Sequence, residues 1–462
     1  MKNAYRLALS AAIVALACQG PAALAQSIED AMANAYIQNT QLNAARAQQR
    51  ATDEQVPQAL SNWRPTVTLN GSYTRTDTRY NPSSFNALES SGYNNSKQAT
   101  VQVTEPLYRG GRTVAATSAA HNTVAAGQSG LKGTEQTTLL NAAQSYLDVF
   151  RDQSTVDLNA NNEAVLKRQL DAENDRFRVG EVTRTDVALA QASYQQARAQ
   201  YTTAVGTLAT DRATFQRVVG QAPGKLEQPV FKYQLPESLE VAIAEAEANN
   251  PSVSQAVFVE RASRDNVDVA EGSRLPTVNL IGTFGRQYPA PGSVVQGANI
   301  NSITTGSVEA QVTWPLYTGG LTSSQVRQAK QTANQYLIAI EDAKRVARQT
   351  AITAWQQLLA ARANIEAYEA QVNAAQIGAE GTRQQALVGT ATVLDSLTAE
   401  QNLLQAQVNL VGAQHDALLY SFSLLSAVGR LTAEDLGLNV TIYDPRENQK
   451  RVGDKWFGTS VE

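Results

Sequence analysis

Two short stretches hold the residues best placed for chemistry. One reads VGEVTRTD, from Val179 to Asp186; the other reads VGTATVLD, from Val388 to Asp395. Each separates a glycine from a carboxylate inside otherwise long helix-period sequence. Local structure alone accounts for such residues: glycine ends one helix in a left-handed conformation, and aspartate caps or starts the next. A second role opens if several copies of the chain bring these turns to one mouth. Asp186 and Asp395 then form carboxylate rings, which favour cations and can hold a narrow closed state. Turns of small residues also suit docking by another helical hairpin.

Little else in the chain is reactive. His121 and His415 are the two histidines; they lie far apart within helix-period runs and lack metal-ligand spacing. There is no P-loop, dinucleotide fingerprint, nucleophile elbow or paired-carboxylate constellation. The reading is of a non-enzyme that needs no metal or cofactor. The formal charge of -4 and the lack of a basic cluster argue against nucleic acid as a partner.

At the N-terminus, Lys2 and Arg6 precede an apolar run from Leu7 to Ala17, and Ala23-Leu24-Ala25 is a small-x-small cleavage site. Residues 1–25 are therefore expected to be a secretory signal peptide, leaving a chain of net charge about -6. The one cysteine, Cys18, falls inside it. Ala15 stands where a lipoprotein signal prefers leucine, which weighs against lipidation of Cys18 without closing that alternative. No later run is long and apolar enough for a membrane helix, so membrane attachment would need a lipid anchor or a β-barrel.

The elements that position the two turns occur twice. Tyr146 and Trp355, Gly180 and Gly389, Asp186 and Asp395, and Gly220 and Gly429 are all 209 residues apart. Upstream, Ser27 and Ser238, Asn39 and Asn250, Pro65 and Pro276, and Gly71 and Gly282 are 211 apart. The chain is thus predicted as a tandem duplication, with repeats at 26–220 and 238–429, a proline-rich linker at 221–237 and an irregular tail at 430–462.

Each repeat begins with a helix; the first, Ser27 to Trp63, should bend or end early at Pro57. Two alternating strands follow, at 66–77 and 97–108 in the first repeat and 277–288 and 305–317 in the second. The stretches between them (78–96 and 289–304) read as exposed loops. The second strand of each pair runs into the joins VTEPLYRGG and VTWPLYTGG, where Pro106 and Pro315 are expected to end it. Tyr108, Trp314 and Tyr317 cluster there, where an interfacial aromatic girdle would lie, and Gly110, Gly111, Gly319 and Gly320 turn the chain into a helix. That helix is predicted over 111–178, and over 320–387 in the second repeat, about 100 Å at the α-helical rise. Return helices are predicted over 183–220 and 392–429. The first of these carries a heptad seam at alternating spacings of three and four (Val187, Ala190, Tyr194, Ala197, Tyr201, Ala204, Leu208, Asp211, Phe215, Val218), which fits a coiled coil and, taken alone, also fits an ordinary helical-bundle core.

The expected fold class is therefore α+β, combining long coiled-coil helices with four membrane-length strands per chain. Four strands cannot close a barrel, and open edges cannot sit in lipid. Two copies would make a barrel filled by side chains, and three a twelve-stranded barrel with a lumen. A soluble sandwich is the competing reading of the strands.

On the duplication, both PLYxGG joins and both VGxxxxxD turns, the sequence resembles the TolC family of outer-membrane channels over essentially the whole mature chain. The resemblance implies a homotrimer with a twelve-stranded outer-membrane β-barrel continuous with a long periplasmic α-helical coiled-coil barrel. It implies a periplasmic adaptor (membrane fusion) protein and an inner-membrane ABC or proton-driven pump as partners. The implied adaptor-docking tips are Val179, Gly180, Val388 and Gly389, with Thr390 beside them; the implied entrance residues are Asp186 and Asp395. The family's gate arginine and its tyrosine partner fall at Ala391 and Ala386, and a second ring aspartate at Thr398; Arg184 offers a cation in the other turn. The closing segment, YDPRENQKRVGDKWFG, is similar to the tails of type I secretion members. The expected function is an export duct for proteins, small toxic compounds or both. The alternatives are a periplasmic coiled-coil adaptor and a structural or adhesive surface protein.

Overall fold

The computed structural model describes residues 26–80, 90–289, 294–295 and 298–461. The predicted signal peptide, Cys18 included, and parts of both predicted strand-connecting loops lie outside the described residues.

The same series of elements runs twice. The first pass is α1 (Ile28–Gln38), α2 (Thr40–Asp53), α3 (Gln55–Leu60), a 3-10 turn (Ser61–Trp63), β1 (Thr66–Tyr80), β2 (Ser90–Arg109), α4 (Arg112–Arg178) and α5 (Arg184–Val219). The second is α6 (Leu239–Asn249), α7 (Pro251–Gly272), β3 (Thr277–Tyr288), a small ladder of β4 (Val294–Val295) with β5 (Ala298–Asn299), β6 (Ile303–Thr313), α8 (Leu321–Leu387) and α9 (Val393–Ala427). Helices α4 and α8 are each 67 residues long.

Stretch 27–63 is not one bent helix but three pieces. Pro57 has no N–H for the carbonyl of Asp53 and its ring crowds that oxygen, so α2 ends at Asp53. The second repeat carries Asp268 at the equivalent place, and α7 runs unbroken for 22 residues. The earlier break, at Asn39, is shared by both repeats. Asn39 is extended (ψ 124°) and its Oδ1 accepts from the N–H groups of Gln41 and Leu42, which starts α2 afresh. Asn250 is likewise extended (ψ 126°) before Pro251, and its Oδ1 accepts from the N–H of Ser252. The tail also departs from expectation: residues 445–453 form a helix, α10 (Pro445–Gly453).

Packing divides the chain into two units. One takes the described residues up to Gln49 with Gln128–Gln255 and Glu341–Asp444. Its larger core sets Met32, Tyr36 and Leu42 against Tyr146 and Leu147 of α4 and Phe215 and Val219 of α5. A second core joins Ala242, Ala246 and Val253 to Ala347, Ala351, Ala354 and Leu358 of α8 and Leu424 of α9. Burying such side chains contributes roughly 1.5–3 kcal/mol each for the larger ones. Every seam residue named on α5 is buried or half-buried. The many alanines let helices approach closely, while Leu166, Ala197, Val393 and Leu397 bring the two hairpins together.

The other unit takes Arg50–Gly127, Ala256–Ile340 and the described residues from Pro445 onward. It holds a four-stranded antiparallel sheet in the order β1-β2-β3-β6. Strands β1 and β2 run further than the alternation predicts, taking in 78–80 and 90–96 of the expected loop. Pro106 does not end β2, which continues to Arg109. Two features permit this. The ladder to β1 stops at Thr104, and the ladder to β3 shifts register between Pro106 and Tyr108, a bulge that absorbs the missing donor. In the second repeat β6 ends at Thr313, ahead of Pro315.

Register sorts the side chains. Directly paired residues share a face. Val67 pairs with Val103, Leu69 with Val101 and Gly71 with Ala99. Val101 continues to Phe284 and Val103 to Gly282, and Gly282 to Val308, Leu280 to Ala310 and Val278 to Val312. The other face carries Thr68 and Gln102, Asn70 and Thr100, Thr283 and Ser307, and Asn279 and Gln311. One face is thus mainly apolar and the other mainly polar across all four strands; Glu105 and Arg286 interrupt the first and Ile281 the second. The apolar side chains stand exposed on the single chain, Val67 at 68% and Val308 at 79%. Among the described residues, strands β1 and β6 are the free edges of this sheet.

Candidate functional site

The two helix-hairpin turns are built alike. Helix α4 ends at Arg178 and Gly180 takes φ +83°, so the N–H of Glu181 reaches back to the carbonyl of Arg176 at 2.9 Å. Helix α8 ends at Leu387, Gly389 takes φ +81°, and the N–H of Thr390 reaches the carbonyl of Gln385 at 2.9 Å. Both are left-handed glycine closures that satisfy the last carbonyls of a helix.

The return helices start with identical capping boxes. Thr183 caps α5; its N–H and hydroxyl donate to Asp186 Oδ2 at 2.9 and 2.7 Å, and the Asp186 N–H donates back to Thr183 Oγ1 at 3.3 Å. Thr392 caps α9, with Asp395 Oδ2 accepting at 2.9 and 2.7 Å and the Asp395 N–H donating at 3.1 Å. Hydrogen bonds from threonine hold both carboxyls below the usual aspartate range. Each aspartate therefore stays charged at neutral pH and is fixed in direction by its own turn. Arg184 is exposed on the first turn of α5. In the second turn Ala391 and Ala386 are half-buried, and Thr398 spends its hydroxyl on the carbonyl of Leu394 at 2.8 Å.

Beside the carboxylates the turns expose apolar side chains. Val179 is 72% exposed and Val388 75%. Leu387, Leu394 and Phe177 are exposed too, and these were not legible as a set because helical sequence does not say which face stays unpartnered. Charged pairs flank the first turn: Arg176 with Glu173 and Glu181, and Arg178 with Asp175. The result is a small apolar tip ringed by charge.

At the strand-to-helix joins Gly110, Gly111, Gly319 and Gly320 all adopt positive φ, between 63° and 87°. A Cβ on Gly110 would collide with the carbonyl oxygen of Gly272, so α7 passes against the join with backbone on backbone. Tyr108, Trp314 and Tyr317 are exposed there, and Trp314 Nε1 donates to the carbonyl of Arg274 at 3.2 Å.

Among the described residues no group of three or more potential ligands converges on a metal-sized site. A charged cluster that the sequence only hinted at lies in the helical unit. Arg151 pairs with Asp148 at 2.9 Å, Asp152 at 2.8 Å and Asp211 at 3.4 Å. His415, nearly buried, stands 3.0 Å from Asp148 and 2.9 Å from Asp416. Asp211 was visible as the polar member of an apolar seam; its partners, 60 residues away on α4, were not. His415 is thus a packed histidine in a salt-bridge cluster.

A sequence model of the outer membrane efflux protein family matches residues 31–221 and again 242–430, once per repeat. The chain is 36% identical over 439 residues to the outer membrane efflux protein BepC of Brucella suis biovar 1, covering 95% of this chain and 93% of that one. It is 27% identical over 454 residues to the outer membrane protein TolC of Escherichia coli K12, covering 94% and 89%. Its fold is similar to the Campylobacter jejuni CmeC outer membrane channel, with TM-score 0.77 at 17% identity over 92% of this chain and 89% of that one.

Proposed function

The chain belongs to the outer membrane efflux protein family, and we propose that it is the exit duct of a tripartite export system: a homotrimer whose barrel opens through the outer membrane and whose helices form a periplasmic tunnel. The face-sorted open sheet carries this reading. An apolar face and a polar face on strands with two free edges describe a section of barrel wall, lipid outside and water inside. Three copies contribute twelve strands, enough for a water-filled lumen, and abolish every edge. The three-fold axis and the internal duplication together give the helical tunnel six similar hairpins.

In this reading the six turns meet at the tunnel mouth. Asp186 and Asp395 face the passage as carboxylate rings, with Arg184 as a neighbouring cation, and hold the resting entrance narrow and cation-selective. Val179, Gly180, Val388, Gly389 and Thr390 form apolar tips that receive the hairpins of a periplasmic adaptor. The adaptor links the duct to an energy-supplying inner-membrane pump; the duct itself is passive and binds no cofactor. Proteins and small toxic compounds are the proposed cargo classes.

Planar-bilayer recording of detergent-extracted protein, with oligomer mass measured in the same preparation, tests the reading. Discrete conductance steps from a trimer are expected. A water-soluble species without conductance would overturn it and return the strands to a sandwich.

A further inference from the structure

Residues 445–461 fold into a compact hook in the same unit as the sheet. Helix α10 lies against α3, with Val452 buried and Asn448 Nδ2 donating to Asp53 Oδ2 at 2.7 Å. After it the chain turns at Gly458, φ +99°, a conformation glycine adopts without penalty. Arg451 and Lys455 then clasp the returning backbone, donating to the carbonyls of Val461 at 3.2 Å and Ser460 at 2.7 Å. The apex of the hook is Trp456-Phe457.

The apex is fastened to the foot of the sheet. Arg64, two residues before β1 begins, donates to the carbonyl of Lys455 at 2.9 Å and lays its guanidinium over the Trp456 ring at 4.4 Å. One face of Trp456 is thereby held, and the side chain is still 58% exposed; Phe457 is 86% exposed. An apex folded to bury these rings in its own chain would not leave them so. Lys450, Arg451 and Lys455 closely precede them in sequence, Arg64 packs on Trp456, and Asp454 is the nearest acidic residue along the chain. Aromatic rings beside lysine and arginine are the side-chain mixture that settles at a membrane-water boundary, rings among acyl carbonyls and cations at headgroup phosphates. The apolar sheet face starts at Val67, three residues from Arg64, so the apex is tied to the end of the sheet at which that face begins.

We propose that the C-terminal hook is a second membrane contact: Trp456 and Phe457 enter the interfacial layer of a phosphate-bearing lipid leaflet at the foot of the barrel, with Lys450, Arg451 and Lys455 on its headgroups. The contact is separate from the strands and comes from the opposite end of the chain. It rests on the barrel reading, since only an inserted sheet brings its foot to a lipid boundary.

The test uses the full chain reconstituted into phosphatidylcholine/phosphatidylglycerol vesicles, wild type and Trp456→Phe, with conductance of the same vesicles as the insertion control. The emission difference between the two proteins isolates Trp456. That difference signal is expected to be quenched by phosphatidylcholine brominated near the acyl carbonyl and to resist aqueous iodide. Arg64→Gln, which frees the hook, is expected to shift it to the red. Quenching by iodide and not by brominated lipid, in vesicles that conduct, overturns the hook proposal and leaves the duct intact. Quenching by neither places Trp456 against protein and overturns it as well. Vesicles that do not conduct remove the duct and the hook together.

Discussion

The Asn39 side-chain amide donates to the backbone carbonyl of Val218 at 3.0 Å, across 179 residues of sequence. Asn250 repeats the bond to Ala427 at 3.2 Å. In both repeats one asparagine breaks the first helix, restarts it and closes a free carbonyl at the end of the return helix. The end of α5 is tight here: a Cβ on Gly220 would fall 2.6 Å from Gln38 Oε1.

Replacing Asn39 by alanine leaves a buried carbonyl and two N–H groups without their partner. The expected loss is about 1–3 kcal/mol. Asn250→Ala should cost less, because that site is only partly buried. Denaturant midpoints of the two variants check the order; equal midpoints would mean the bonds do not hold the junction.

Asp186→Asn with Asp395→Asn removes charge while keeping an oxygen that accepts from Thr183 and Thr392. Weaker cation selectivity and higher conductance are expected, with helix content unchanged. Thr183→Ala with Thr392→Ala is the control: it costs about 1 kcal/mol per cap and leaves the charge in place. If both pairs alter conductance alike, the aspartates act as caps and not as a gate.

Val179 and Val388 make no core contact, so Val179→Asp with Val388→Asp should leave trimer stability and bilayer conductance as they were. Export in cells should fall to the level of a deletion strain. Full export would place the adaptor elsewhere on the hairpins.

The Arg151 cluster has a signed pH dependence. Burial, then Asp152 and Asp148, push Asp211 up to about 6. His415 is also raised: its hydrogen bonds to Asp148 and Asp416 outweigh burial and the nearby Arg151. Both groups bind protons more tightly folded than unfolded. The Asp211 contribution is complete below its ordinary pKa and is lost as pH rises through about 6. The His415 contribution is complete below about 6.5 and is lost as pH rises past its higher folded value. Thermal midpoints of the helical unit are therefore expected to fall as pH rises through about 6 and on past the ordinary histidine range, and the slope to flatten in Asp211→Asn with His415→Gln. A midpoint that rises over that window in the wild type would contradict the assignment.

Much of the fold is legible because its signals are periodic. Helix spacing, strand alternation and residues recurring 209 or 211 apart are properties of the chain itself. The seam from Val187 to Val218 marks a buried face because a helix returns to one side every three or four residues. The turn chemistry is legible as well, since glycine and Thr-x-x-Asp act on neighbours within a few bonds. Strand ends are a different matter. Pro106 reads as a stop, yet whether it stops a strand depends on where β1 ends and whether β3 can bulge, which are facts about partners. The same holds for Asp211, whose seam position predicts an apolar residue until Arg151 arrives from α4, and for Trp456, which has no role until Arg64 meets it 392 positions away. Short-range sterics and periodic burial are written locally along the chain. Charge partners, free edges and exposed faces exist only once distant segments meet, so the tertiary structure alone decided them.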